Sequence, residues 1–219
     1  MQFYKSIIHF GIIGASIAAA SLPARALVIT YTDRDAFLAA LSSSSTDNYN
    51  DLNGFYASPL SRTIAGYTYD AAATGGLYTG SAGGSQVLSS NNPVALTLNF
   101  TNGAPTAVGG YFFNTDANFN IINGAITVTA NPGASVQSVV TSSATNFFGW
   151  LDDSGTPFTS LVIVPATGTP TPYPTVDDLV LGQAASAAQV PGPLPALGLV
   201  VAFSFSRRLR SRIAAARHR

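Results

Sequence analysis

No cysteine occurs in the 219 residues, which removes a disulfide framework, a thiolate metal site and a cysteine nucleophile from consideration. Glutamate is absent too, and lysine occurs once, at Lys5. The two histidines, His9 and His218, sit close to the two ends. Without an imidazole in the long middle of the chain, a Ser-His-Asp triad and a histidine-ligated zinc are excluded there. Charge of either sign is scarce: 9% of residues are charged, against about 25% in an average soluble domain. Ser, Thr, Asn and Gly carry the hydration instead, a surface that favours hydrogen bonds over ion pairs and suits a hydroxyl-rich matrix.

What charge there is separates by region. Between Leu27 and Gln189 lie all ten acidic residues, each an Asp, and only two cations, Arg34 and Arg62, a formal charge of −8. The other cations are Lys5 and Arg25 near the start and six arginines after Phe205. The formal neutrality of the whole chain therefore hides an acidic body. Such a surface repels phosphate backbones, which argues against a nucleic-acid partner, and divalent cations are its natural counter-ions.

Both ends have the pattern of addresses. Residues 1–26, "MQFYKSIIHFGIIGASIAAASLPARA", place Lys5 before an apolar run from Ile7 to Ala20 and finish in Ala24-Arg25-Ala26. A basic start, an apolar centre and a small-x-small end predict a secretory signal cleaved after Ala26 by signal peptidase. At the other end, Leu194 to Phe205 is an apolar run of 12 residues. As a helix it would span about 18 Å, short of a hydrocarbon core of about 30 Å. The basic cluster that follows it, with Arg207, Arg208, Arg210 and Arg212, is nevertheless the stop-transfer arrangement, with the basic side held in the cytoplasm.

The body between these ends predicts an all-β fold. "LVITYT" opens it as a strand. "DRDAFLAALSSSS" follows as one helix of two to three turns ending in the serines, with Thr32 and Asp35 spaced as a capping box. From Asp47 to Gly182, short apolar runs are punctuated by Gly, Asn, Ser, Thr and Asp. In "VALTLNFT", Leu96, Leu98 and Phe100 fall on one face and Thr97, Asn99 and Thr101 on the other; "GAITVTA" repeats the scheme with Ile126 and Val128. One buried and one hydrated face is what an antiparallel sandwich requires. "AVGGYFFNT", "TNFFGWLDD" and "SLVIVPA" are continuously apolar and predict central strands. "GGLYTGSAGG" reads as a flexible loop without the Lys of a phosphate cradle. "PATGTPTPYPT" is a loop before the last strand, "VDDLVLG". The predicted organisation is a signal over 1–26, a β-sandwich over 27–183, a small polar spacer over 184–189 and the tail over 190–219.

The tail has a family resemblance. "VPGPLPALG", an apolar stretch and then "SRRLRSR" resemble the sorting signal of PEP-CTERM proteins, with Gly192 standing where the name-giving form has Glu. The resemblance implies that Val190, Pro191, Gly192 and Pro193 are a motif processed by exosortase, a membrane-embedded cysteine transpeptidase. It also implies that Leu194 to Phe205 are the membrane segment and Arg207 to Arg212 the retention cluster. In the body, "FFGWLDD", "TPFTSLVIV" and "PTVDDLVLG" resemble phrases of a domain common among these sorted proteins. The implied fold is a jelly-roll-like β-sandwich akin to carbohydrate-binding modules. The implied location is an inner-membrane intermediate and then the cell surface or an exopolysaccharide-rich extracellular matrix.

For chemistry inside the body, Asp is the only acidic side chain on offer. Asp47, Asp51, Asp177 and Asp178 are candidate ligands of a structural Ca²⁺, because jelly-roll modules join an early acidic strand to the last strand with oxygen donors. The competing reading makes Asp47 to Asn53 turn formers and Asp178 a solvated strand residue. Nine aromatics, Tyr49, Phe55, Tyr56, Tyr67, Tyr69, Tyr78, Phe119, Trp150 and Tyr173, are the pool for a glycan-stacking platform. Tyr78 and Tyr173, in glycine and proline contexts, are the candidates, and Trp150 is expected in the core. The expectation is a non-catalytic protein that contacts exopolysaccharide. Two other classes stay open: a secreted carbohydrate-active enzyme using a pair of Asp from separate segments, such as Asp51 with Asp178, and a purely structural or adhesive protein.

Overall fold

The computed structural model describes residues 28–140, 144–165 and 167–185. The expected signal with Ala24 and Ala26, the motif Val190–Pro193, the apolar run and the arginine cluster lie outside the described residues.

The first strand, β1 (Val28–Tyr31), leads into α1 (Arg34–Ala39), the one helix among the described residues. Its N-cap is Asp33, whose Oδ1 accepts from the Ala36 amide at 2.7 Å. The cap expected at Thr32 is thus supplied one residue later, by a carboxylate that also complements the helix dipole. The serines expected to end the helix instead form β2 (Leu41–Asp47). Their propensity is overridden by a partner: the last strand, β15 (Tyr173–Ala184), is 12 residues long, and β2 pairs with its second half from Leu179 to Ala184.

The strands between are β3 (Gly54–Tyr56), β4 (Leu60–Ile64), β5 (Tyr67–Ala72), β6 (Leu77–Ala82), β7 (Ser85–Ser90), β8 (Leu96–Asn102) and β9 (Ala107–Thr115). After them come β10 (Ile121–Ile122), β11 (Gly124–Asn131), β12 (Ala134–Val140), β13 (Phe147–Asp152) and β14 (Ser160–Pro165). They build two antiparallel sheets. The first runs β1-β13-β9-β15-β7-β6-β3, with β2 beside β15 and β10 beside β9; the second runs β12-β11-β14-β8-β5-β4. From β7 onward the chain alternates between them: β7, β9, β13 and β15 lie in the first sheet, and β8, β11, β12 and β14 in the second. The arrangement is all-β and sandwich-like.

Period-two burial explains the core. Leu96 and Leu98 of β8, Ile126 and Val128 of β11, and Leu161 and Ile163 of β14 are all fully buried. They meet Leu77, Leu88, Phe112, Trp150, Val176 and Leu181 from the first sheet in one cluster. Each such side chain stabilises the fold by about 1.5–3 kcal/mol relative to exposure. β14 is central, as its apolar run predicts, but Val164 on its outer side is 42% exposed.

A second, smaller cluster lies on the outer face of the first sheet. Phe37 of α1 rests on Gly149 of β13, where a Cβ would stand 2.7 Å from the ring. Phe147, Leu151 and Val180 surround it. The glycine is what lets the helix sit this close. α1 thereby covers one part of that outer face, and the part carried by β3, β6 and β7 stays open for other use.

Candidate functional site

The four candidate Ca²⁺ ligands are not gathered at one point. Asp47 ends β2 and Asp51 follows in the loop to β3, and both carboxylates are taken by Arg62 of β4. Arg62 Nε donates to Asp47 Oδ2 at 2.9 Å and Nη2 to Asp47 Oδ1 at 2.6 Å. Nη1 and Nη2 donate to Asp51 Oδ2 and Oδ1 at 2.7 and 2.8 Å. Tyr69 of β5 gives its hydroxyl hydrogen to Asp47 Oδ2 at 2.8 Å, and the Tyr49 amide donates to Asp47 Oδ1 at 3.2 Å. The oxygens a cation would take are therefore occupied by a guanidinium, and the expected cradle is replaced by an ion pair between the sheets. The Arg62 hydrogen bonds hold the Asp51 carboxyl below its ordinary range. Burial, with the Asp47 charge beside it, lifts the Tyr69 phenol.

Asp177 and Asp178 lie on β15 at a bulge, where the register against β9 shifts and Asp178 has φ 46°. Asp178 pairs with Arg34 at 3.9 Å, and Asp177 Oδ1 accepts from the Asp178 amide at 2.7 Å. Burial raises the Asp177 carboxyl above its ordinary range. Asp51 and Asp178, the pair named for hydrolysis, are each held by a different arginine. Among the described residues no group of three or more Asp, Glu, His or Cys side chains is placed to hold a metal ion.

The two candidate tyrosines do meet. Tyr78 of β6 and Tyr173 at the start of β15 are 95 positions apart in the chain, and both line one open cleft of about 370 Å³ on the outer face of the first sheet. Sheet register brings them there. Tyr78 is opposite Ser89 of β7, Ser89 is opposite Thr175 of β15, and Tyr173 is opposite Thr115 of β9. Opposed residues of an antiparallel pair share a face, so Ser89, Thr175 and Thr115 lie in a line between the tyrosines, each at most 2% exposed. Thr175 Oγ1 donates to Ser89 Oγ at 3.2 Å and lies 3.0 Å from Thr115 Oγ1, while Ser89 Oγ lies 3.1 Å from the Pro174 carbonyl.

The third ring is Phe119, another of the nine aromatics of the pool. It lines the same cleft, 6.0 Å from Tyr78 between ring centroids. The turn after β9 presents it. Asp116 Oδ1 accepts from the amides of Asn118 and Asn120 at 2.8 and 2.9 Å, and Oδ2 accepts from Asn120 Nδ2 at 2.9 Å. These bonds, the Asn120 side chain first among them, hold the Asp116 carboxyl below its ordinary range. The clamp fixes Phe119 at φ 62°. The sequence signal was the run "TDANFN", whose Asp and Asn favour such side-chain-closed turns.

The stretch expected to be a loop, "GGLYTGSAGG", holds β6. Leu77 and Thr79 point inward and are buried, while Tyr78 and Gly80 alternate on the outer side, with Tyr78 41% exposed. The two glycines leave room for rings: a Cβ at Gly80 would stand 2.6 Å from Phe119, and one at Gly76 would stand 2.5 Å from Phe55. Trp150, in contrast, is fully buried and packs between Phe112 and Phe148, as expected for a core residue.

No family model, curated protein or solved structure matches the chain. Aromatic rings, Tyr78 exposed and Phe119 and Tyr173 half-buried, beside polar side chains suit a ligand that presents both C–H faces and hydroxyls. The two cations among the described residues, Arg34 and Arg62, are paired with aspartates and do not line the cleft.

Proposed function

We propose that this is an exported, exosortase-sorted surface or matrix protein whose body binds glycan without cleaving it. The observation that carries the glycan reading is the convergence of Tyr78, Phe119 and Tyr173 on one open cleft that Asn91 and Asp116 also line. The acidic, histidine-free body adds to it, because phosphate-bearing ligands are repelled. The export and sorting part rests on the sequence of the two ends: a basic-apolar-small start, the Val190–Pro193 motif, an apolar run and Arg207 to Arg212. Signal peptidase and exosortase would be the processing partners, the tail the membrane contact, and exopolysaccharide the neighbour outside.

The jelly-roll reading of the fold rests on strand order. With β7, β15, β9 and β13 adjacent in one sheet, and β8, β14, β11 and β12 in the other, the eight strands follow the two Greek keys of that architecture. The flanking strands β1, β3, β4, β5 and β6 extend this frame on either side.

The test is a glycan array with the mature protein, paired with a reducing-end assay on each bound glycan. Retention without new reducing ends, lost in Tyr78→Ala and Phe119→Ala, is the expected result. Release of reducing ends, or silence across the array, overturns the reading. Sorting is tested by mass spectrometry of the mature C-terminus from the native host: a product still ending in Arg219 overturns processing at the motif.

A further inference from the structure

The cleft does not end at Tyr78. Phe55 of β3 is directly opposite Tyr78 of β6 and shares its face. Phe55 is 57% exposed, the most exposed large apolar side chain among the described residues. Its ring lies over Gly76 as that of Phe119 lies over Gly80. Gly76, at φ 96°, immediately precedes β6 and Gly80 lies within it, each two residues from Tyr78. Three rings, Phe55, Tyr78 and Phe119, therefore stand in a row along β6. A folded protein gains nothing by leaving Phe55 and Tyr78 in water, and Gly76 makes room for the Phe55 ring.

The row is open at its far end as well. Beyond Phe55 a wider, open recess of about 860 Å³ runs past Ala57, Thr74 and Val94. A ligand that ended at Tyr78 would leave both this recess and Phe55 unused. The local charge selects among chains: Asp116 stands at the Phe119 end, and no cation lines either recess.

We infer that the Phe55–Tyr78–Phe119 row is a linear platform for the interior of an uncharged polysaccharide chain, with the chain continuing past Phe55 instead of ending in the cleft. This rests on the glycan reading above and adds to it the mode of contact, several consecutive sugar rings, and the exclusion of uronic-acid chains. Phe55 is a specificity residue for chain length, and Tyr78 and Phe119 are needed at every length.

The test is isothermal titration of the mature protein with size-graded gluco-, manno-, galacto- and xylo-oligosaccharides, from dimers to hexamers, and with oligogalacturonides of the same lengths. Affinity for at least one neutral series should rise about tenfold between dimer and hexamer, as another ring is stacked. Phe55→Ala should abolish that rise and leave the dimer affinity unchanged. Because Phe55 is exposed, its thermal midpoint should match the wild type. Binding that is flat with length, a Phe55→Ala variant that retains the rise, or preference for the oligogalacturonides overturns the platform while the cleft reading stands. Binding of no series, with or without self-association through this face, overturns both.

Discussion

Arg62 in the second sheet and Asp47 in the first share a fork-to-fork contact, Nε to Oδ2 at 2.9 Å and Nη2 to Oδ1 at 2.6 Å. Asp47 is 3% exposed and Arg62 13%. Asp47 has left water and depends on Arg62, whose outer side also bonds the exposed Asp51, and the Tyr69 hydroxyl donates to Asp47 as well. The guanidinium also lies 5.9 Å from the centre of the Tyr49 ring. The contact fixes where β2 and β4 face each other across the sandwich.

The two aspartates on Arg62 should therefore behave differently. Asp47→Ala leaves Asp51 on the guanidinium but takes the acceptor from Arg62 Nε and from the buried Tyr69 hydroxyl, and each donor left unpaired costs about 1–3 kcal/mol. Asp51 is 66% exposed, and Asp51→Ala should cost less than about 1 kcal/mol, as exposed pairs do. Urea unfolding of the two variants beside the wild type measures both. Equal losses would mean that the pair does not bridge the sheets as described.

This ion pair shows where sequence stops being informative. Period-two burial made β8 and β11 legible, because alternation in "LTLNF" and "AITVT" is a local consequence of having one buried face. The serine strand β2 was not legible, since its strand state comes from the unfilled half of β15, well over a hundred residues away. Nor was the role of Asp47 and Asp51, which look like oxygen ligands until β4 swings Arg62 onto them. Tyr78 and Tyr173 could be picked for their glycine and proline surroundings, but only the order β6-β7-β15 puts them on one cleft. Gly80 suggested a loop because glycine is a poor strand former. Its reason, space for Phe119, is tertiary.

Asp177 should destabilise the protein at neutral pH. Burial raises its carboxyl, and the neighbouring Asp178 charge pushes the same way. A carboxyl raised on folding gives its full contribution below the ordinary Asp value of about 3.9 and loses it as pH rises through the folded value. Asp177→Asn keeps Oδ1 as acceptor for the Asp178 amide and removes the charge. The variant should be more stable than wild type at pH 7, with the difference shrinking to nothing as the pH is lowered past the ordinary Asp range. Denaturant melts at the two pH values check it; a variant less stable at pH 7 than wild type refutes it.

Asp116 gives the cleft an opposite pH signature. Its carboxyl is lowered by the bonds that shape the Phe119 turn, so the ionised clamp persists as pH falls through the ordinary carboxylate range and fails only below it. Glycan affinity of the wild type should follow that course. Asp116→Ala, which removes the acceptor for the Asn118 and Asn120 amides, should weaken binding at neutral pH with little change in the thermal midpoint, because the turn is exposed. Asp116→Asn keeps one acceptor oxygen and should fall between. An Asp116→Ala protein that binds as well as wild type would separate the turn from the site.

Gly80→Ala tests the seat of Phe119 alone. Gly80 does not sit in the left-handed region, so alanine fits its backbone, but the new Cβ would stand 2.6 Å from the Phe119 ring. The ring has to swing off β6, and the 6.0 Å pairing with Tyr78 goes with it. Affinity should drop about tenfold for the loss of one stacked ring, with the fold's thermal midpoint nearly unchanged. Gly84→Ala is the matching control. Gly84 has φ 89° and open space around its Cβ position, so alanine there strains the β6–β7 turn without touching the cleft. It should lower the midpoint and leave affinity intact. The reverse pattern, with Gly80→Ala melting the fold and still binding, would place the ligand somewhere other than on these rings.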